Sequence, residues 1–240
     1  PFYTGVLLSD MRSAPPGCLS LVVLGIVLLL PFVLANALLA ALGKLGLSPL
    51  GSLLAALGIF LGSTINLPVA RLEREELVEY LPNRLLGLHR LFSQPVRRRT
   101  YTVIAVNVGG CLVPTALAGY QGARIAMQAP SVLPAVGAAL AINVALCYYV
   151  AQPVTDVGIT LPPLVPAGAA AVCGLVLAPE WAPPVAFMAG VLGPLIGADF
   201  LHLDDIAEIG AGMASLGGAG TFDGIVLSGL VATLLVPGAL

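Results

Sequence analysis

The chain has 240 residues, of which 58% are hydrophobic and 9% charged, with a formal net charge of −2. A soluble domain carries about 25% charged residues to cover its surface, so this composition excludes a soluble globule and requires an integral membrane protein. No basic patch is interleaved with stacking aromatics, which leaves nucleic-acid binding without support.

A helix needs about 20 apolar residues to cross the hydrocarbon core. By that measure the sequence predicts an all-α bundle of seven spans: 18–42, 49–66, 101–119, 132–151, 161–178, 183–200 and 222–240. Residues 1–17 read as an amino-terminal tail and 18–240 as one transmembrane domain; Pro1 and Met11 are alternative starts. Arg12 and the signal-peptide-like "ANA" at 35–37 precede further apolar "LLAAL", so the first span is expected to be retained. Pro31 should kink it. Cys18, Cys111, Cys147 and Cys173 fit neither zinc nor redox spacing and read as buried small hydrophobes without disulfides.

Between the second and third spans lies "RLEREELVEYLPNRLLGLHRLFSQPVRRRT", 71–100, with seven of the chain's ten basic residues and four glutamates. Leu77, Tyr80 and Leu81, then Leu85, Leu88 and Phe92, recur at helical spacing on either side of Pro82. That spacing predicts two short amphipathic helices at the membrane interface, suited to anionic lipid or partner subunits. His89 reads as a polar-face residue. The arginine excess places this segment and the amino terminus in the cytoplasm, and Lys44 and Arg124 outside. The sixth span then runs inward to Asp199, and the seventh starts near Asp223.

These two acids are the leading candidate site. Acids at bilayer depth usually face the bundle interior or water. Asp223 follows a run of glycines that includes Gly218 and Gly220. Glycine breaks free backbone groups to hold a cation or solute; the alternative is plain helix capping with small-residue packing. Asn66 and Asn107 sit beside proline and glycine breaks and are expected to border the same cavity, whereas Asn143 reads as an interhelical hydrogen bond. Asp199, His202 and Asp205 recur at i, i+3, i+6, but no established motif supports metal there. An alternative topology has six spans and a re-entrant 206–222. If Asp223 belongs to a site, 215–224 should be irregular backbone inside the bundle, with Asp199 a few ångströms away.

"KLGLSP", "GSTINLPV", "VNVGGCLVP", "VGITLPP", "LIGADFLHL" and "GGAGTFDGI" occur in order. Together they resemble a family of prokaryotic multi-spanning membrane proteins defined as domain of unknown function 1614, over about Leu19 to Leu235. The resemblance implies a prokaryotic inner-membrane location and assigns no reaction. A looser resemblance, to intramembrane aspartyl proteases, rests on two aspartates on successive spans. It departs at Gly218-Ala219-Gly220-Thr221-Phe222-Asp223, two residues longer than that family's motif, and at the terminal "VPGAL". The functional expectation is binding or transport of a small solute or ion through Asp199, Asp223, Asn66, Asn107, Gly218 and Gly220. The alternatives are a non-catalytic subunit of a larger membrane complex and a diaspartyl protease-like enzyme. No cofactor is specified, and an enzyme is the less favoured class.

Overall fold

The computed structural model describes residues 16–80, 94–154, 158–205, 213–218 and 224–238. Helix predominates. Helix α1 (Pro16–Lys44) runs unbroken through Pro31. It stops at Leu45-Gly46, where Gly46 takes φ +73°, a left-handed conformation that costs glycine least. Ser48 then caps α2 (Pro49–Gly62) by accepting a hydrogen bond from the Gly51 N–H, with Pro49 as its first residue.

The chain next forms strands β1 (Asn66–Tyr80) and β2 (Gln94–Asn107), an antiparallel pair in register from Asn66↔Asn107 to Tyr80↔Gln94 with one irregularity at Pro68/Ala70. A π-helical turn, Val108–Leu112, leads into α3 (Val113–Gln128) and then α4 (Leu133–Val150). The short hairpin β3 (Gln152–Val154) and β4 (Gly158–Thr160) precedes α5 (Leu164–Leu177) and α6 (Ala182–Pro194). A second π-helical turn, Leu195–Asp199, extends α6. Strand β5 (Met213–Leu216) pairs parallel to β2 at Val103–Val106, completing a sheet of order β1-β2-β5. Helix α7 is Gly224–Leu235.

Helix α6 is the core. Twelve of its thirteen residues are buried, and α3, α4, α5 and α7 surround it. Glycines set these close approaches: Gly190 meets Gly229 of α7, Gly193 meets Asn143 of α4, and Gly197 meets Val144 and Tyr148 of α4. Asn143 Nδ2 donates to Ala189 O at 2.6 Å, the interhelical bond expected of it. By contrast, among its described side chains α1 buries only those at its carboxy-terminal end, Ala41 and Leu42, while Leu21, Leu28 and Phe32 are exposed.

Contacts between helix ends show that the helices alternate in direction. The ends of α1, α3 and α7 meet the turn before α6, through Lys44 with Leu234, Leu45 with Arg124, and Arg124 with Trp181. The opposite end gathers the end of α2, the turn before α3 and the glycines before α7. The described helices include three long and apolar enough to cross a membrane: Val23–Lys44, Pro130–Val150 and Pro179–Asp205. Pro49–Gly62, Leu164–Leu177 and Gly224–Leu235 are apolar but shorter.

Two expectations are corrected. The fold is not all-α, because residues 66–80 and 94–107 form a sheet with 213–216. Residues 71–80 and 94–100 are therefore strands and not interfacial helices, and 81–93 fall outside the described residues. The run "TYTVIAV" at 100–106 carries β-branched and aromatic side chains that favour a pleated surface, and pairing with β1 fixes it. The third span correspondingly begins as strand, with regular α-helix only from Val113. Of the region read as re-entrant, 213–216 is strand and Gly217-Gly218 a turn.

Candidate functional site

The structure brings Asn66 and Asn107 together, at the root of the sheet. Asn107 is wholly buried. Its Nδ2 donates to Ser63 O at 2.8 Å and to Asn66 Oδ1 at 3.0 Å, while its Oδ1 accepts from Gly110 N at 2.7 Å. Ser215 Oγ on β5 also donates to Asn66 Oδ1. One amide thus ties the end of α2, the first residue of β1 and the π-helical turn, and Asn66 carries the tie to β5. Both donors of Asn107 are used, which is how a buried amide is accommodated.

Glycine is required around this junction. A Cβ on Gly109 would collide with Ile59 O, and one on Gly110 with Gly217 O. Gly217, at φ +68°, packs in return against the Gly110 backbone. Gly218 is exposed, its N–H donating to Ser215 O at 3.0 Å. Gly220 and Asp223 lie outside the described residues, so the Asp199–Asp223 separation does as well.

Asp199 closes the π-helical turn after α6, within electrostatic reach of Cys147 on α4. His202 folds back so that its Nδ1 lies 3.1 Å from Gly197 O, and its ring stands 4.9 Å from that of Tyr148. The mixed π and 3-10 geometry over 195–202 departs from the regular helix on which the spacing of Asp199, His202 and Asp205 was read. Among the described residues no three His, Cys, Asp or Glu side chains form a metal-holding group. An open groove lined by Val150, Gln152, Thr160, Leu161 and Pro162 lies beside the β3–β4 hairpin, apart from the asparagines.

The other end of the bundle holds a cationic latch that the sequence reading did not assemble. Lys44 Nζ donates to Leu234 O at 2.9 Å, in the last turn of α7, and to Val236 O at 2.7 Å, just past it. Arg124 and Gln121 both donate to Leu45 O. The Arg124 guanidinium also stands 5.4 Å from the centre of the Trp181 ring. Cations favour helix carboxy termini, so Lys44 and Arg124 were findable as capping residues, but each caps a helix other than its own.

Apolar helices packed around α6, with three described helices long enough to cross a membrane and a sheet rooted at one end, define a helical membrane protein. Residues 60–235 match the model of the family described as "Protein of unknown function (DUF1614)", and the chain belongs to that family. The match starts within α2, so α1 and the "KLGLSP" motif lie outside it. No curated protein matches the chain, and no solved structure does.

Proposed function

We propose that this protein is a docking subunit of a membrane assembly, with the β1–β2 ribbon as its partner-binding arm. The observation that carries this reading is the ribbon. Its strands are 15 and 14 residues long, about 50 Å at roughly 3.3 Å per residue. Only Val103–Val106 of β2 pairs with a further strand among the described residues. The asparagine junction gives the arm a fixed root, and paired strands are an addressable surface for partner chains. In this reading the chain crosses a prokaryotic inner membrane seven times. The arginine excess of 71–100 keeps the arm and the amino terminus cytoplasmic. Single cysteines at Ser93 and Ser131 should then label from opposite sides.

The docking test is purification in gentle detergent followed by mass analysis. The wild type should carry partner chains in fixed stoichiometry. A variant with 71–100 replaced by a short turn should keep its bundle and lose them. Partner chains that persist without the ribbon, or a lone wild-type chain, would reject the reading.

A second reading rests on the irregular 195–202 segment, since π-helical turns are frequent at functional sites. There Asp199, with Asp223, Asn66, Asn107, Gly218 and Gly220, binds or transports a small solute or ion. Asp199→Asn and Asp223→Asn should each abolish ligand-dependent thermal stabilisation in a screen of ions and small solutes. Unchanged stabilisation removes these acids from the function.

A further inference from the structure

We propose that the partner at the ribbon is another copy of this chain, with the β2 edge of one copy against the β1 edge of the next, in a ring of at least three. This rests on the docking reading and specifies its partner.

Among the described residues both edges are open. Strand β1 is terminal in the order β1-β2-β5, and β5 covers β2 only at Val103–Val106. Residues 71–80 and 94–102 therefore have a strand on one side only among the described residues. Unpaired N–H and C=O groups along such an edge are a template for a further strand. Pro95, which lacks an N–H, limits the usable β2 edge near its outer end.

The edges carry opposite charge. Residues 71–80 hold four glutamates and two arginines; 94–102 hold three arginines and no acid. The same two strands already pair within the chain, with Glu75 opposite Arg99 and Glu76 opposite Arg98. The sequences are thus shown to be compatible antiparallel neighbours, and a second copy offers each edge the same neighbour again.

Symmetry selects among the pairings. Copies sharing one bilayer orientation are related by axes along the membrane normal. A two-fold contact sets an edge against its own copy, acidic β1 on β1 or arginine-rich β2 on β2, and like charges facing across strands destabilise. The β2-to-β1 contact pairs opposite charges. It is head-to-tail, so it closes only as a ring.

The test compares masses of purified protein in gentle detergent. The wild type should contain three or more copies. Glu75→Arg with Glu76→Arg, or Arg98→Glu with Arg99→Glu, should reduce the mass to that of one copy. Each pair also sets like charges facing within the ribbon, so the four substitutions together are the decisive variant. That variant restores pairing inside the chain and between identical chains, and should regain the wild-type mass. Co-expressed under a second tag, it should not co-purify with wild type, because its basic β1 would face a basic β2. A wild-type dimer, double variants of unchanged mass, or free mixing of the quadruple variant with wild type would each overturn the ring. Foreign subunits bound to a single copy overturn it and leave the docking reading standing; a lone copy overturns both.

Discussion

The two ends of the bundle meet the same problem in different ways. Each gathers helix termini whose last backbone groups have no partner within their own helix. At the Lys44 end the answer is mainly charge: one ammonium and one guanidinium, with the Gln121 amide beside the latter, donate to carbonyls of neighbouring helices. At the Asn107 end it is a neutral amide and a strand ladder, with glycine backbones in contact. The cationic end needs only side chains that reach, and it tolerates adjustment. The neutral end needs backbone to touch backbone, and it tolerates little. The neutral end also roots the ribbon, so rigidity sits where the proposed docking arm would need a fixed base.

Breaking that contrast should cost most at Gly110. Alanine there puts a methyl into the Gly217 carbonyl, and neither backbone can rotate away. Gly110→Ala should cost more than about 4 kcal/mol and leave little folded protein on size exclusion. Gly119→Ala on α3, where an added Cβ meets nothing within 4 Å, should be neutral or stabilising by up to about 1 kcal/mol. Equal yields of the two variants would contradict the close-packed junction.

Asn107 comes next. Asn107→Ala leaves Ser63 O and Gly110 N without their partner. Each buried orphan costs about 1–3 kcal/mol, so roughly 3 kcal/mol in all is expected. Asn107→Asp should be worse, since it sets a carboxylate against two oxygens formerly served by Nδ2. Limited proteolysis should cut the ribbon before the bundle melts. Proteolysis and melting that advance together would mean that the amide does not separate arm from bundle.

This junction also marks how far sequence reasoning reached. Asn66 and Asn107 stood out because each is polar beside an apolar run and a helix break. Their bond to one another spans 41 positions and has no local signal. Hydropathy found α1, α4 and α6, where long apolar runs coincide with helix. It misread 100–106, since a window average does not register that Thr100, Thr102, Val103, Ile104 and Val106 are β-branched. The 71–80 run has both helical spacing and strand character, and pairing with β2 decided between them. Asp199 was picked out as an acid ending an apolar segment, which is where it lies; its π-helical setting depends on contact with α4. The latch was out of reach for a similar reason, Lys44 and its acceptors being about 190 residues apart.

At the cationic end, Lys44→Met keeps the apolar stem and removes the ammonium from the α7 carbonyls. Hydrogen bonds to charged groups contribute about 1.5–3 kcal/mol, and water can reach these part-buried carbonyls, so about 2 kcal/mol is expected. Thermal unfolding in detergent should show the loss. Hydrogen exchange should rise first in the last turn of α7. Exchange that rises instead in α1 would mean that Lys44 serves its own helix.

The smallest effect expected is between Arg124 and Trp181. The guanidinium both donates to Leu45 O and lies over the indole, so a single substitution cannot separate the two contacts. Arg124→Lys keeps the charge and a donor for Leu45 O but loses the flat face that stacks on the ring. Trp181→Leu removes the ring and leaves the carbonyl contact. Cation–π pairs contribute about 0.5–1 kcal/mol at exposed sites and about 2 when desolvated; Trp181 is half-buried, so a coupling of about 1 kcal/mol is expected from the double-mutant cycle. The ring also packs against the core beside α6, so Trp181→Leu alone should cost more than the coupling. Additive costs would show that the ring packs without engaging the cation. The cationic end would then rest on its carbonyl contacts alone, which would make the contrast with the Asn107 end sharper.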